Sequence, residues 1–140
     1  MSKTSAIPRP LPRMDGMHGD FYRECARQRR LVFQRCEGCG TLRHPPRVLC
    51  AECGSDQVSW SPSAGRGTIF SWTVTHQAPH PAFASQAPYA VVVVELEEGV
   101  RIVASLRELA PADLELGLPV EVVLEEVSEG VLLPYARPRR

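Results

Sequence analysis

Two Cys-x-x-Cys pairs constrain the fold of this chain more than any other feature. They lie in CEGCGTLRHPPRVLCAEC, residues 36–53, with ten residues between the pairs. Each pair brings two thiolates together at a tight turn, and the neighbouring glycines 38, 40 and 54 supply the permissive backbone that such turns require. The spacing predicts one metal site, with the ligands Cys36, Cys39, Cys50 and Cys53.

The predicted metal is a structural zinc ion. Four thiolates give zinc a closed tetrahedral shell with bonds of ~2.3 Å, whereas a catalytic zinc keeps one position open for water. His44 would have to displace a cysteine to create such a position. Iron suits the same ligands, and zinc is preferred. A redox dithiol is disfavoured because no thioredoxin-like βαβ pattern follows. We expect the metal to supply most of the folding free energy of so small a module.

Length and composition suggest one or two small domains in a cytoplasmic protein. The chain has 140 residues and lacks an apolar run of the ~20 residues that a membrane span requires. The first 16 residues contain no apolar centre of the kind found in secretory signals. Cysteines stay reduced in the cytoplasm, which favours metal binding over disulfides.

Charge is distributed unevenly along the chain. Residues 1–50 contain ten Lys or Arg and four Asp or Glu, a net charge of +6, whereas residues 51–140 contain six and twelve, a net charge of −6. The separation suggests two functional halves. It is equally consistent with two unrelated solvated surfaces.

The N-terminal third is predicted to contain an arm and one helix. Residues 1–14 have three prolines and little apolar content, which predicts a flexible arm. Residues 15–33 are read as a helix and a linker, because acidic residues come first and arginines last, in the order that suits the helix dipole. Met17, Phe21 and Cys25 recur every four residues and could form one apolar stripe. A helix this short is marginal alone, so we expect it to dock.

Residues 34–57 form the predicted metal module, and residues 58–140 a β domain with a tail. Five strands are predicted in the β domain from runs of β-branched and aromatic residues between turn signals. They are TIFSWTVT (68–75), YAVVVVEL (89–96), RIVASL (101–106), PVEVVLEEV (119–127) and VLLPYA (131–136).

The patterns also predict which strand residues are buried. Alternation in the first strand places Phe70, Trp72 and Val74 on one face, and Phe70 and Trp72 are expected in the core. The second strand is expected to be buried on both faces. Gly65 and Gly67 suggest a bend or bulge where the first strand begins.

The fold class predicted from these elements is mainly β. Five short strands with no long helix among them suggest a small closed barrel. Residues 107–117, between the third and fourth strands, could form a short helical turn, as in the oligonucleotide/oligosaccharide-binding (OB) layout. Periodicity alone leaves a five-stranded sandwich almost equally possible.

A family resemblance extends from residue 20 to residue 138. The stretches RLVFQRCEGCGTLRHPPRVLCAECGS, GRGTIFSWTVTHQAP, PYAVVVVELEEGVRI and LPYARP occur in an order that resembles the acyl-CoA-associated zinc-ribbon/OB-fold proteins, long known as a domain of unknown function. One departure is Tyr135, where that family usually has phenylalanine. The resemblance implies an N-terminal helix, a rubredoxin-like zinc ribbon and a five-stranded OB-fold barrel.

The resemblance also implies a partner. Proteins of this family usually accompany thiolase-fold enzymes, including sterol-carrier-type thiolases that cleave steroid side-chain CoA esters by a retro-aldol reaction, and some relatives are fused to hydratase domains. The expected function is therefore an accessory subunit in a hetero-oligomer, with an acyl-CoA substrate handled by the complex. Acyl transfer or acyl condensation is the alternative reaction.

No catalytic residue is predicted in this chain. It has no Gly-x-Ser-x-Gly, Gly-Lys-Ser/Thr or His-Glu-x-x-His motif. Cys25, the thiol outside the metal set, is interpreted as a small packed residue rather than a nucleophile. The four histidines are scattered, with no carboxylate placed by sequence to orient them. We expect the chemistry to lie in another chain.

Two surfaces are candidates for binding. The loop of residues 76–89 is proline-rich and nearly uncharged, which suits a partner interface, although it could be merely a mobile loop. Its candidate interface residues are Pro79, Pro81, Phe83, Pro88 and Tyr89. Arginines near the ribbon could bind the phosphates of coenzyme A, or an acidic partner, or simply be solvated. They are Arg27, Arg30, Arg35, Arg43 and Arg47.

Two other functions remain open. A zinc ribbon beside an OB barrel could bind single-stranded nucleic acid, but such binders need a basic groove with stacking aromatic residues, and the barrel half is acidic. A freestanding enzyme or a redox ribbon is the other alternative.

Overall fold

The computed structural model describes residues 8–139 and contains, within that range, one α-helix, eight strands and two short 3-10 helices. The 3-10 helices span Pro81–Gln86 and Pro111–Asp113. In chain order, the other elements are α1 (Gly16–Gln28), β1 (Val32–Cys36), β2 (Leu42–Arg43), β3 (Val58–Pro62), β4 (Arg66–Thr75), β5 (Tyr89–Leu96), β6 (Arg101–Leu106), β7 (Pro119–Ser128) and β8 (Val131–Pro138).

The predicted helix is confirmed as α1. Phe21 and Cys25 of the predicted apolar stripe are buried, and Met17 is half-buried at its start. The helix ends at Arg29, whose φ of 51° is left-handed and whose cap N–H donates to the carbonyl of Cys25. Part of the predicted arm, residues 1–7, lies outside the described residues. Within residues 8–139, no helix is both long and apolar enough to cross a membrane.

The cysteine module is built on a three-stranded sheet in the order β2-β1-β3. β1 pairs antiparallel with both neighbours, and its burial is nearly continuous because Val32, Phe33 and Gln34 are all covered. Such a short run without alternation gave no strand signal in the sequence. β3 belongs to this ribbon sheet, although it begins where the sequence places the start of the barrel domain.

The five predicted strands of the β domain are confirmed, and they close into a barrel in the order β4-β5-β6-β8-β7. The neighbours pair antiparallel, except that β6 and β8 are parallel. This order, with the 3-10 turn between β6 and β7, is consistent with the OB fold and excludes the alternative sandwich.

One continuous core joins the helix, the ribbon and the barrel. Phe21 of α1 stacks on Phe33 of β1, with ring centroids 6.4 Å apart. The same buried cluster extends into the barrel interior, where Val92, Val94 and Val120 are fully buried. Because the apolar cluster is shared, the helix docks as its stripe predicts.

The predicted burial of Phe70 is wrong, because a bulge interrupts the alternation of β4. Ile69 pairs with Val94 and Ser71 with Val93, which leaves Phe70 as an extra residue. Two consecutive side chains therefore point outward. Phe70 is 43% exposed, whereas Ile69 is buried and Trp72 is half-buried against the core. The bulge lies within the strand rather than at its glycine-rich start.

The predicted burial of β5 on both faces is also wrong. Ala90, Val92, Val94 and Leu96 are buried in the barrel, while the alternate residues are half-buried or exposed on its outer surface. A run of four valines does not alternate, so the sequence could not distinguish a central strand from a barrel strand with one open face.

The linker between ribbon and barrel is fixed by a carboxylate. Glu98, in the turn between β5 and β6, accepts hydrogen bonds through Oε2 from the Ser63 hydroxyl (3.0 Å) and the Ala64 N–H (2.9 Å). The Ser63 N–H donates to the carbonyl of Leu31. Gly65 then bends the chain into β4 with a φ of 77°, where a Cβ would lie 2.8 Å from the Val122 carbonyl oxygen.

Candidate functional site

The four predicted ligands lie together at two turns of the same construction. Gly40 N–H donates to the Cys36 carbonyl and Gly54 N–H to the Cys50 carbonyl, both at 2.8 Å. These glycines have φ values of 80° and 78°, which few other residues adopt without strain. Each turn also directs a backbone N–H at the first sulfur, from Gly38 to Cys36 Sγ (3.3 Å) and from Glu52 to Cys50 Sγ (3.4 Å).

The sulfur geometry fits a tetrahedral ion. All four Sγ atoms lie within 4.8 Å of one another. Cys36 and Cys53 Sγ are 3.5 Å apart, and Cys39 and Cys50 Sγ are 3.6 Å apart. Zinc–sulfur bonds of ~2.3 Å require tetrahedral S–S separations of about 3.8 Å, so only small adjustments are needed. The donor set therefore suits a structural zinc without an open position.

The pKa values of the thiols indicate why this cluster needs a cation. The Cys39 backbone N–H, with help from neighbouring thiols and Gly38, lowers the pKa of Cys36 to about 6. The Ser55 N–H lowers the pKa of Cys53, but its thiol neighbours and burial outweigh this effect and raise it to about 12. Thiols this close cannot all ionise together, and a divalent cation removes that repulsion.

Among the described residues, His44 is not part of the group that could bind the metal. Its ring packs against both Phe21 and Phe33, with centroids 4.7 and 5.2 Å away. Burial, with smaller effects of His18 and Arg47, lowers the pKa of His44 to about 4. His44 therefore serves as a neutral packing residue.

Cys25 is used for packing. Its side chain is 1% exposed in the seam between α1 and β1, and burial raises the pKa of its thiol to about 11. A protonated, covered thiol is a poor nucleophile.

The loop of residues 76–89 presents the predicted interface residues on one short 3-10 helix and its flanks. Pro79, Pro81 and Pro88 are exposed, and Phe83 is half-buried. The rings of Phe83 and Tyr89 lie 6.1 Å apart. The binding role of these residues remains a prediction.

The sequence did not predict that Arg9 contacts this loop and the barrel. Its guanidinium donates to the Tyr135 hydroxyl at 2.9 Å and lies 5.3 Å from the Phe83 ring centroid. Phenylalanine at position 135 would offer no such acceptor. The tyrosine at position 135, where the family usually has phenylalanine, was therefore the sequence feature that could have indicated a hydrogen bond at this place.

Most of the arginines proposed for coenzyme A have side-chain partners within the chain. Arg43 Nε donates to Gln34 Oε1 (2.8 Å), which also accepts from the Arg47 N–H (2.9 Å). Arg35 bonds the Gly40 carbonyl, and Arg27 pairs with Glu24. Arg30 is exposed beyond the end of α1. Phosphate binding by these side chains remains a prediction.

Comparisons with known proteins agree with this architecture. Residues 23–59 match the family model "ChsH2, rubredoxin-like zinc ribbon domain", and residues 60–125 match "ChsH2, C-terminal OB-fold domain". A "DUF35 domain-containing scaffold protein" of Methanocaldococcus jannaschii is 35% identical over 100 residues, which are 71% of this chain and 70% of that protein. The chain therefore belongs to the DUF35 family, as a zinc ribbon followed by an OB-fold barrel of the ChsH2 type.

Two longer relatives carry enzyme names. A "probable enoyl-CoA hydratase alpha subunit" of Thermomonospora curvata is 45% identical over 131 residues. A "3-oxo-4,17-pregnadiene-20-carboxyl-CoA hydratase alpha subunit" of Mycobacterium tuberculosis is 37% identical over 100 residues. These matches cover 94% and 71% of this chain, but only 40% and 31% of the relatives.

Two solved structures resemble the chain. One, titled "Ltp2-ChsH2(DUF35) aldolase", has a chain that is 44% identical, with a TM-score of 0.80 and coverage of 93% of this chain and 98% of that one. A DUF35 protein of Sulfolobus solfataricus has a TM-score of 0.56 at 10% identity, with 89% and 87% coverage, and supports the fold alone.

Proposed function

We propose that this chain is an accessory scaffold subunit that binds and supports a thiolase-fold enzyme acting on acyl-CoA. The favoured reaction of the complex is retro-aldol cleavage of steroid side-chain CoA esters. The observation that carries the proposal is the 44% identity to a chain of the Ltp2-ChsH2(DUF35) aldolase, of which this chain covers 98%. The name "DUF35 domain-containing scaffold protein", carried by the relatives from Methanocaldococcus jannaschii and Pyrococcus furiosus, supports the same role.

The chemistry of the chain's own side chains is consistent with a scaffold. The thiols of the ribbon form a closed metal set, Cys25 is covered, and His44 is neutral and packed against two aromatic rings. These groups stabilise the fold. The enolate formed in a retro-aldol reaction would need a base and donors, which we assign to the partner.

A role beside a hydratase is the second candidate. Two relatives are named hydratase alpha subunits, and each extends well beyond the part that this chain matches. Both candidates place the chain next to an acyl-CoA enzyme. They differ in whether the partner cleaves a carbon–carbon bond or adds water to a double bond.

Co-expression with the Ltp2 aldolase subunit tests the proposal. We expect Ltp2 to co-purify with this chain and to cleave a steroid side-chain β-hydroxyacyl-CoA, while this chain alone shows no cleavage. If the loop of residues 76–89 belongs to the interface, Phe83→Asp with Tyr89→Asp should weaken the complex by about tenfold or more. The matched control is Leu116→Asp, at a leucine that is 72% exposed elsewhere.

Other outcomes would count against the proposal. Turnover by the isolated chain would contradict its accessory role. Failure of Ltp2 to co-purify would contradict the favoured partner. Hydration without cleavage by a pair with a hydratase subunit would select the second candidate.

A further inference from the structure

A groove runs along the outside of the barrel between β6 and β8, and we call it the β6–β8 groove. It has a volume of about 200 Å³ and is open to solvent. Its lining includes Val91, Val103, Ser105, Leu133 and Tyr135, with Arg9 and Tyr22 at its sides. It shares lining residues with a neighbouring concavity at each end, one reaching Phe83 and the other reaching His44.

The groove follows a strand edge that is open over most of its length. β6 pairs with β5 from Arg101 to Ser105, but it pairs with β8 only at Ser105 and Leu106. Among residues 8–139, no second strand pairs with β6 from Arg101 to Ala104. The unpaired N–H and C=O groups of an open edge are a template for another extended chain.

The groove and its two ends are lined by positive side chains. Arg9 and Arg107 lie at one end and Arg101 at the other, and the described lining of all three concavities contains no Asp or Glu. This is notable in a barrel half whose net charge is −6. Arg9 Nε is buried and has no hydrogen-bond partner among the described residues. Arg101 and Arg107 each also pair with a surface glutamate, Glu95 and Glu125 respectively, whereas Arg9 has no ion pair among the described residues. An occupant that carries carboxylates complements the guanidinium groups facing the groove.

The spacing of side chains along the outer face of β6 indicates how long the occupant is and where its apolar and charged groups lie. Arg101, Val103 and Ser105 share the outer face, and Val103 is 61% exposed. Arg101 and Arg107 are six residues apart, which is about 20 Å along an extended chain. An apolar centre between two ends that each carry an arginine suits a segment of about six residues with carboxylates near its ends, which would share these arginines with Glu95 and Glu125.

We propose that the β6–β8 groove receives an extended, acidic segment of the partner enzyme, which pairs with the open edge of β6. The assignment rests on the proposed function, because it takes the partner to be that enzyme. A polypeptide satisfies the open backbone groups of β6 and places alternate side chains on Val103 and the arginines. An acyl chain or a nucleic acid would leave those backbone groups unpaired.

Hydrogen exchange in the complex with Ltp2 tests the groove directly. In the antiparallel pairing with β5, the N–H groups of Arg101 and Val103 point to the open edge, while those of the alternate residues 102 and 104 point to β5. We expect the amides of Arg101 and Val103 to exchange at least about tenfold more slowly in the complex than in the free chain, since new backbone hydrogen bonds form there. A complex that forms without this protection would overturn the inference and leave the proposed function standing. Absence of any complex would overturn both.

Two pairs of variants separate the groove from general surface effects. Val103→Asp should weaken the Ltp2 complex by about tenfold or more, while Leu116→Asp, at another exposed apolar residue, should change it less than about twofold. Arg101→Glu should weaken the complex in a salt-dependent way, because screening reduces the attraction. Its control is Arg66→Glu, since Arg66 and Arg101 each pair with a glutamate and are both 52% exposed.

Further outcomes would identify a different occupant. Equal effects within each pair of variants would overturn the inference. If a variant folds poorly, the exchange experiment still tests the inference, because it uses the unmodified chain. Protection of the Arg101 and Val103 amides by an acyl-CoA or by single-stranded DNA without Ltp2 would assign the groove to that ligand. Protection in the free chain that is lost on removal of residues 1–7 would assign it to the chain's own N-terminal segment.

Discussion

At the scale of single residues, His44 shows how packing decides the chemistry of a side chain. The sequence places it between the two cysteine pairs, where it could be taken for a ligand. Its ring instead packs against both Phe21 and Phe33, and burial favours the neutral form. The ring fills the seam between the helix and the ribbon, and the four sulfur atoms remain the metal set.

The shifted pKa of His44 predicts that stability depends on pH. Folding lowers this pKa from 6.5 to about 4, so between these values the unfolded chain binds more protons than the folded chain. The folded state has its full stability with respect to His44 above pH 6.5, and it loses stability as the pH falls towards 4, because the unfolded chain then binds a proton at His44 that the folded chain does not. This loss is about 2 kcal/mol at pH 5. Denaturant unfolding of the zinc-loaded chain at pH 7 and pH 5 measures it.

Variants isolate this effect from acid release of zinc. His44→Phe keeps a ring in the seam but cannot titrate, so its stability should fall less between pH 7 and pH 5 than that of the unmodified chain. His76→Gln, at an exposed histidine, should behave like the unmodified chain. An unchanged pH dependence in His44→Phe would show that another group is responsible.

At the scale of elements, the strands of the barrel were predictable and those of the ribbon were not. Clear alternation or β-branched runs between turn signals located all five barrel strands to within about two residues at each end. β2 has only two residues and β1 is buried without alternation, so neither has a periodic signal. The ribbon was recognisable from its cysteines, whose spacing reflects metal geometry rather than a strand pattern.

The metal ligands of the site were predictable from the sequence, whereas the long-range contacts around it were not. Thiol spacing alone identifies the four ligands, which the structure brings together. The roles of Arg9 and Glu98 depend on contacts between residues 126 and 35 positions apart in sequence, respectively. No local pattern encodes such pairs.

The Glu98 carboxylate predicts a measurable coupling between ribbon and barrel. It accepts hydrogen bonds from Ser63 and Ala64 in the linker, and its removal would leave these donors without their partner. Glu98→Ala should therefore lower the free energy of unfolding by about 1–3 kcal/mol. Denaturant titration provides the measurement.

The neighbouring glutamate is the matched control. Glu97 is 52% exposed and pairs with Arg66 and Arg139 at the surface, so Glu97→Ala should change stability by less than about 1 kcal/mol. Equal losses in the two variants would contradict a specific role of Glu98 in the linker.

At the scale of the whole molecule, the metal and the apolar core contribute to the ribbon and the barrel in different proportions. The barrel has its own buried valines, whereas the ribbon depends on the thiol cluster and on its contact with α1. Removal of the metal by a chelator should therefore open β1, β2 and β3 while the barrel strands remain protected from hydrogen exchange.

Metal stoichiometry checks the assignment of the ligands. We expect one zinc ion per chain, its loss in Cys36→Ser, and its retention in Cys25→Ala, since Cys25 lies outside the cluster. Continued protection of β1 after chelation would contradict the structural role of the metal. A visible absorption band from bound iron would change the identity of the ion.

The bulge at Phe70 has a consequence for how this barrel tolerates change. A one-residue deletion inside a strand ordinarily turns half of its side chains inside out. Here the omission of Phe70 would instead leave Ile69 and Trp72 facing inward with a single outward residue between them, in regular pairing with β5. Removal of Phe70 would thus preserve the inward face of β4, and its direct cost would be the outward contact in which the Arg101 guanidinium lies 3.7 Å from the ring centroid.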